Sequence, residues 1–219
     1  MSGRVRVDNA LADKPARLVS DGACITLLEK EPYVSRGGKK LEAALDALKV
    51  DPHGKIAMDV GASTGGFTDC LLQRGVQRVY AVDVGYGQLD WRLARDSRVV
   101  VLDRQNIRHL APASVSDPIG LAVVDVSFIS LTLVLPAVVR FLAKPAVVIA
   151  LIKPQFEVGR GQVGRGGVVR DDSKRLGAAE NVIEYAKKIG LASMGTIDSP
   201  VTGPKGNREI LAGFRFGGE

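Results

Sequence analysis

A glycine-rich turn between an apolar strand and a helix is the sequence feature that most constrains this chain. Residues 56–60 form an apolar run, and Phe67, Leu71 and Leu72 follow the turn at helical spacing. Strand, glycine turn and helix is the arrangement by which an open α/β sheet exposes backbone N–H groups beside a crevice. A second apolar strand ends in Asp83, where a carboxylate can accept hydrogen bonds from ribose hydroxyls. These features predict a site for an adenosine-containing ligand.

The spacing of the glycines favours S-adenosyl-L-methionine (SAM) over a dinucleotide. The turn reads Gly61-x-x-x-Gly65-Gly66, whereas dinucleotide enzymes use G-x-G-x-x-G so that a pyrophosphate can approach the backbone. Asp59 stands two residues before the first glycine; a carboxylate there repels a pyrophosphate but can accept a hydrogen bond from an ammonium group. SAM carries a ribose and an ammonium group but no phosphate. The alternative is that the glycines only form a tight turn and the acids only cap helices.

Composition limits the class of protein. The chain has 219 residues, of which 46% are apolar, and this favours a single enzyme-sized domain over disorder. A net charge of +6 indicates an anionic partner such as nucleic acid. Cys24 and Cys70 are far apart and show no metal-ligand spacing, so we expect reduced thiols, no metal site and a cytoplasmic protein. We expect neither a secretory signal nor membrane insertion, because the longest apolar runs are too short to cross a bilayer.

Continuous apolar strands alternate with helical patterns along the chain. After the strand at residues 79–82, strands and helices are predicted at residues 99–102, 121–124, 131–142, 147–152 and 173–189. Such strands are typical of a parallel sheet covered by helices on both faces. Residues 194–197 and 210–214 are expected to pair antiparallel, because the turn between them is too short for a crossover helix. The predicted fold class is α/β: a Rossmann-like, mostly parallel seven-stranded sheet with an antiparallel C-terminal hairpin, as in class I SAM-dependent methyltransferases.

Charged residues stand where several strands begin or end. Asp125 follows the fourth strand, Lys153 follows the fifth, and Glu209 precedes the last, while Lys39 and Lys40 open a helix before the first strand. A lysine directly after a buried strand is costly unless a carboxylate faces it, and Asp125 is the expected partner of Lys153. The alternative is an ion pair or a helix cap that only fixes the sheet edge.

Several long segments resemble the TlyA family of FtsJ-like ribosomal RNA 2′-O-methyltransferases, whose members are often labelled haemolysin. They are residues 35–41, 59–67, 83–88, 125–130, 153–159 and 203–209. The resemblance runs from about Tyr33 to the C-terminus. It implies a methyltransferase domain at residues 34–219 that uses SAM and acts on ribosomal RNA or ribosomal subunits.

The resemblance implies a Lys-Asp-Lys-Glu tetrad at Lys40, Asp125, Lys153 and Glu209. A 2′-hydroxyl is a poor nucleophile, and methyl transfer from a sulfonium needs it deprotonated or nearly so. A neutral lysine amine can take that proton, and we assign Lys153 as the base. Asp125 would orient the amine and help bind the methionine moiety, while Lys40 and Glu209 would position the ribose and tune charge.

The predicted cofactor-binding residues lie on the glycine turn and at the strand ends. They are Asp59, Gly61, Ser63, Thr64, Gly65, Gly66, Phe67, Asp83, Asp103 and Asn106. The family comparison marks Asn106 as an adenine-edge contact and Phe67 and Asp103 as further pocket residues. For these three the alternative is a structural role, such as a core residue or the cap of a turn.

Basic residues cluster on the glycine-rich segment 159–167 and on the helix after it. They are Arg160, Arg165, Arg170, Lys174 and Arg175. A flexible basic loop beside the catalytic edge could clamp phosphates, so Arg36, Arg160, Arg165 and Arg170 are the predicted RNA contacts. The alternative is a solvated loop without a ligand.

Residues 1–33 are predicted to be a partial N-terminal RNA-binding module and linker. Val5, Val7, Ala10 and Leu18 could form small strands there. The segment resembles the second half of the small RNA-binding domain that the family usually carries, and the leading basic helices of that domain are missing.

Other functions fit the residues less well. Methylation of a base nitrogen usually needs an Asn/Asp-Pro-Pro-Tyr/Phe segment, and residues 125–128 lack the prolines. Methylation of a pyrimidine carbon needs a nucleophilic cysteine, and Cys70 lies badly placed in the helix after the glycine turn. The interpretation as a membrane-active haemolysin is not supported by any amphipathic or transmembrane segment. A SAM-binding RNA-interaction protein without turnover is the remaining alternative.

Overall fold

The computed structural model describes residues 5–12, 18–27, 31–159, 161–203 and 205–218. The chain divides into two units, residues 1–32 and residues 33–219. The first unit contains three short strands, β1 (Val5–Val7), β2 (Ala10–Leu11) and β3 (Ile25–Leu27), in the order β2-β1-β3 with both pairs antiparallel.

The expected strands near Val5, Val7 and Ala10 are present, but the one near Leu18 is not. Leu18 lies outside any strand and is exposed, and the third strand forms instead at β3. A two-residue turn joins β1 to β2 because Asp8 and Asn9 adopt positive φ angles of 50° and 67°, which these residue types tolerate in tight hairpins.

In the described part of the second unit, seven strands form one sheet in the order β6-β5-β4-β7-β8-β10-β9. Their bounds are β4 Ile56–Val60, β5 Arg78–Val82, β6 Val99–Leu102, β7 Ile119–Val124, β8 Leu142–Ile152, β9 Leu191–Asp198 and β10 Ile210–Phe216. Strands β4 to β8 pair in parallel, whereas β10 runs antiparallel to both β8 and β9. The predicted fold class is confirmed.

Helices cover both faces of this sheet. They are α1 Gly37–Ala47, α2 Gly66–Gln73, α3 Trp91–Ala94, α4 Leu131–Val139, α5 Pro154–Glu157 and α6 Asp172–Lys188. Short 3₁₀ helices span Ile107–His109, Pro112–Ser114 and Arg165–Gly167, the last within the segment predicted as a loop.

Alternation of side chains along the strands creates two apolar cores. In β4, Met58 and Val60 pack in the core that contains α4 and α6 side chains, whereas Ala57 packs on the opposite face with residues of α1 and α2. Because successive strand side chains point to opposite faces, apolar residues at every position bury both sides of the sheet. The strands therefore lie in the interior, and their polar ends are left at the edge.

Several boundaries differ from the sequence prediction. Helix α4 ends at Val139, before the predicted end at residue 142, because Leu142 already pairs with Ile119 in the sheet. Strand β9 begins at Leu191 and pairs with β10 along the whole length of β10. Among the residues described, no helix is long and apolar enough to cross a membrane.

Candidate active site

Three adjoining cavities lie at the carboxyl ends of the parallel strands. The glycine pocket (about 200 Å³) is lined by the glycine turn and the start of α1, and the central pocket (about 490 Å³) by the ends of β4, β5 and β7. The lysine cleft (about 530 Å³) lies between the ends of β7 and β8 and the residues just before β10. Asp125 lines all three cavities. The strand ends thus form one continuous crevice.

Two glycines of the turn permit close approaches beside the glycine pocket. Gly61 has φ +87°, and a Cβ there would lie 2.4 Å from the carbonyl oxygen of Asp125. A Cβ on Gly66 would lie 2.2 Å from Ser35 Oγ. Gly65, with φ +95°, precedes α2 and faces the side chains of Leu89 and Leu93, outside the cavities. Gly61 and Gly66 therefore shape the crevice, whereas Gly65 shapes the turn.

Asp83 and Asn106 stand in the central pocket. The Asp83 carboxylate accepts hydrogen bonds from the backbone N–H of Ser63 (2.8 Å) and of Gly85 (2.7 Å), which fixes its orientation. Asn106 Oδ1 accepts from the N–H of Arg108 at 3.1 Å, as the cap of a 3₁₀ helix.

The remaining predicted cofactor residues divide between the glycine pocket and supporting positions. Ser63, Thr64 and Phe67 line the glycine pocket, and Phe67 is also part of the core. Asp103 lines none of the three cavities; its carboxylate accepts from the N–H of Gly87 at 2.8 Å and holds the loop that follows Asp83.

Asp59 lies behind the wall of the crevice and is completely buried. Its Oδ2 accepts from Thr68 Oγ1 at 2.7 Å, and its Oδ1 has no hydrogen-bond partner in the described part of the chain. Burial raises the pKa of Asp59 to about 7, with a smaller contribution in the same direction from the Asp125 and Asp83 carboxylates and an opposing one from Thr68. The contact of Asp59 with an ammonium group stays a prediction.

The four residues of the predicted tetrad all line the lysine cleft. Lys153 Nζ lies 2.6 Å from Asp125 Oδ1, and Lys40 Nζ lies 2.5 Å from Glu209 Oε2. The Glu209 side chain is 1% exposed and that of Lys40 10%. The cleft therefore holds two ion pairs, each of which joins elements far apart in the sequence.

Ser127 is a site residue that the sequence analysis missed. Its Oγ accepts a hydrogen bond from Lys153 Nζ at 2.8 Å. Together with Asp125 it holds the amine from two sides, and its position two residues after Asp125 is the signal that could have identified it.

Two phenylalanines at the cleft were also missed. Phe128 is 90% exposed and has φ +65°, and its ring lies 5.1 Å from that of Phe156. Both side chains line the lysine cleft. Left-handed backbone at a bulky residue costs free energy and concentrates at functional sites.

The predicted RNA contacts are partly described. Arg36 is exposed and lines the glycine pocket, and Arg170 is exposed. Arg160 and the side chain of Arg165 lie outside the described residues. Arg175, which the sequence groups with these basic residues, is buried.

Arg175 is buried because two carboxylates surround its guanidinium. Its Nη1 lies 2.5 Å from Asp198 Oδ1 and its Nε lies 3.0 Å from Asp172 Oδ1. Burial in this network makes Arg175 a structural residue that ties α6 to β9.

The crevice fits SAM. The glycine and central pockets share Gly61, Ser63 and Asp125. The backbone at Gly61 leaves no room for a side chain, and a fixed carboxylate at Asp83 suits ribose hydroxyls. The buried Asp59, whose Oδ1 has no hydrogen-bond partner in the described part of the chain, lies behind the pocket, where its ionised form would favour a cationic ligand.

Comparison with known proteins gives the class and then the family. The N-methyltransferase NodS from Bradyrhizobium japonicum, solved with S-adenosyl-L-homocysteine, superposes with a TM-score of 0.59 at 17% identity, over 84% of this chain and 89% of that one. The fold is that of class I SAM-dependent methyltransferases. The FtsJ-like methyltransferase family model matches residues 33–216. The chain belongs to the FtsJ-like methyltransferase family, and SAM is its cofactor.

Two relatives are similar over almost the whole chain. The 16S/23S rRNA (cytidine-2′-O)-methyltransferase TlyA of Mycobacterium tuberculosis is 47% identical over 216 residues, which cover 98% of this chain and 81% of the relative. A structure described as a hemolysin from Streptococcus thermophilus superposes with a TM-score of 0.85 at 43% identity, over 99% of this chain and 80% of that one. The expected resemblance is confirmed.

Proposed function

We propose that this protein transfers a methyl group from SAM to a ribose 2′-hydroxyl of ribosomal RNA. The observation that carries the proposal is the lysine cleft, where Lys153, held by Asp125 and Ser127, stands next to the Lys40–Glu209 pair. Because Asp125 also lines both cofactor pockets, the amine of Lys153 stands where the cofactor and acceptor sites meet. The relative from Mycobacterium tuberculosis, named as an rRNA (cytidine-2′-O)-methyltransferase, supports the substrate class.

The residues of this chain divide the work of binding the cofactor. Asp83 and Asn106 would hold the adenosine part in the central pocket, and the backbone of the glycine turn would hold the amino-acid part in the glycine pocket. Arg36 lines the glycine pocket. Its guanidinium can therefore bind the carboxylate of the amino-acid part of SAM as well as an RNA phosphate. When bound, SAM supplies an electrophilic methyl group.

The tetrad would prepare the acceptor oxygen. With its amine neutral, Lys153 Nζ accepts the proton of the 2′-hydroxyl while Asp125 Oδ1 and Ser127 Oγ keep Nζ in place. The proton ends on Nζ as ammonium, which the Asp125 carboxylate stabilises, and the lysine returns it to solvent. Lys40 and Glu209, paired with each other, would position the ribose through hydrogen bonds to its hydroxyls.

RNA binding is proposed to use exposed positive charge around the crevice. The net charge is +6, and Arg36 and Arg170 are exposed. Phe128 offers a flat aromatic surface at the cleft, to which a base can stack. Residues 1–33 are proposed to add further contacts to RNA.

The experiment uses tritium-labelled SAM with unmodified ribosomal RNA and, separately, with ribosomal subunits. We expect labelled RNA whose modified linkages resist alkali, because a methylated 2′-oxygen cannot attack its own phosphate. Lys153→Ala should reduce labelling by about 100- to 10,000-fold, the range for loss of a general base. Lys187→Ala removes an exposed lysine of α6 and should leave labelling unchanged.

Two outcomes would overturn the proposal. SAM binding without labelled RNA would make the chain a SAM-binding protein without turnover on these substrates. Labelling by Lys153→Ala at the rate of the unmodified protein would remove Lys153 from the mechanism.

A further inference from the structure

Residues 207–209 reach three different parts of the second unit. Asn207 contacts the segment before α6, Arg208 pairs with Asp172 of α6, and Glu209 pairs with Lys40 of α1. Of these, Asn207 is a buried polar residue that the mechanism above does not use; it is 2% exposed.

The amide of Asn207 makes two hydrogen bonds to backbone. Its Oδ1 accepts from the N–H of Val169 at 2.9 Å, and its Nδ2 donates to the carbonyl oxygen of Gly167 at 2.9 Å. The site thus needs one acceptor and one donor, and a short side-chain amide supplies both. A carboxylate would turn a lone pair toward the Gly167 oxygen, and an apolar side chain would leave two backbone groups without partners.

The segment that Asn207 holds is one wall of the lysine cleft. Val163, Gly167 and Asn207 itself line that cavity. Within the segment, the N–H of Gly164 donates to the Val168 carbonyl at 3.1 Å, which closes a small loop. The two hydrogen bonds of the Asn207 side chain, one accepted and one donated, thereby attach this loop to the turn before β10.

The same turn carries Glu209. The N–H of Gly203 donates to the Asn207 carbonyl at 2.9 Å. A Cβ on Gly203 would lie 2.7 Å from Glu209 Oε1, so the turn also packs directly against the carboxylate that holds Lys40. A shift of Asn207 therefore moves both the cleft wall and Glu209.

We propose that Asn207 is a positioning residue for the RNA acceptor: it fixes the segment 164–169 as the wall of the lysine cleft and holds Glu209 in register with Lys40. The inference rests on the proposed function. Asn207 lines the lysine cleft but neither pocket assigned to SAM, so its loss impairs the use of RNA and leaves the cofactor in place.

The neighbouring Arg208 contact does not explain this attachment. Arg208 is 54% exposed, and its ion pairs with Asp172 and Asp198 lie on the surface. Exposed ion pairs contribute little to stability. The hydrogen bonds of the buried Asn207 amide to the cleft wall, in contrast, are not screened by salt.

The test compares Asn207→Ala and Asn207→Asp with Asn181→Asp, which makes the same chemical change at an exposed position of α6. For each protein we would measure the Kd for SAM by calorimetry, the Kd for an rRNA fragment by fluorescence anisotropy, and KM and kcat for methylation. Hydrogen exchange of the Val169 amide reports whether the attachment is broken.

We expect both Asn207 variants to bind SAM within about twofold of the unmodified protein, while the KM for RNA rises about tenfold or more, as loss of buried hydrogen bonds predicts. In Asn207→Ala the Val169 amide should exchange faster; in Asn207→Asp that amide keeps its acceptor and should stay protected. Asn181→Asp should match the unmodified protein in SAM affinity and Val169 exchange, with a smaller change in KM.

Two results would overturn the inference. Faster exchange at Val169 with an unchanged KM and Kd for RNA would show that the cleft wall does not need this attachment. Loss of SAM affinity in parallel with RNA affinity, in both Asn207 variants, would show a general structural role instead. Failure of the proposed function would look different, because the unmodified protein itself would then label no RNA. In that case the Kd for RNA would still test the role of Asn207.

Discussion

Replacement of Asp59 by asparagine should change how the stability of the protein depends on pH. Asp59 is completely buried, with one carboxylate oxygen bonded to Thr68 and the other without a partner in the described part of the chain. Burial disfavours the charged carboxylate and raises its pKa from the ordinary 3.8 to about 7. Asparagine is close in shape, can still accept from Thr68, and cannot ionise.

The sign and size of the effect follow from linkage. The folded protein holds the Asp59 proton more tightly than the unfolded chain does, so this group's contribution to stability falls as pH rises from 3.8 to about 7 and is constant above that. A shift of about 3 pKa units corresponds to about 4 kcal/mol in total, of which more than half falls between pH 5 and pH 8. Asp59→Asn should therefore gain about that much relative to the unmodified protein over this interval.

The assay is urea unfolding at pH 5, 6, 7 and 8, with the free energy of unfolding extrapolated to water for both proteins. Asp21→Asn, which removes an exposed carboxylate, serves as the control for loss of one charge. The difference in free energy between Asp59→Asn and the unmodified protein should grow with pH, whereas that of the control should be nearly flat. A difference that stays constant, or that shrinks with rising pH, would refute the reasoning.

Two further predictions concern the crevice. Lys40→Ala leaves the buried Glu209 carboxylate unpaired and should lower the free energy of unfolding in urea by about 3–5 kcal/mol. The double variant Lys40→Met, Glu209→Leu should recover most of that stability but none of the methylation activity. Gly61→Ala should destabilise more than Gly206→Ala by about 1–3 kcal/mol. Both glycines have φ +87°, but only at Gly61 does an added Cβ meet a neighbour within 4 Å, the Asp125 carbonyl oxygen; equal thermal shifts would contradict this.

The fold and the Asp125–Lys153 pair could be predicted because both follow from one geometric rule. Apolar runs separated by helical patterns indicate a parallel sheet, and the carboxyl ends of parallel strands share one edge. Two charged residues that each follow a strand must then lie near each other, and the structure places Lys153 Nζ 2.6 Å from Asp125 Oδ1.

The Lys40–Glu209 contact was beyond that rule, although both residues were named. Lys40 lies on α1, a helix before the first strand of the sheet. The rotation and the packing of α1 decide which of its faces meets the turn before β10. The sequence shows neither. The direct pairing of these two side chains across 169 positions appears only in three dimensions.

Burial of polar residues was the main quantity that the sequence did not reveal. Arg175 was grouped with the basic residues of the segment 159–167 and the helix after it, but Asp172 and Asp198 enclose its guanidinium. The role of Asn207 in attaching the cleft wall could not be predicted, because its hydrogen-bond partners are backbone groups of Gly167 and Val169. Backbone groups carry no sequence signature.

Asp125 links the three cavities of the crevice, because it lines all of them. Its carbonyl oxygen approaches Gly61 so closely that only glycine fits there, which fixes the end of β7 against the glycine turn. Its carboxylate, on the same residue, fixes Lys153 Nζ. In the proposed function, the backbone of Asp125 would face the cofactor and its side chain the acceptor, so a displacement of either would be passed to the other. In the proposed function, Asp125 would keep SAM and the amine of Lys153 aligned without a moving part, and we therefore expect the mobile steps of the reaction to lie in how RNA enters the lysine cleft.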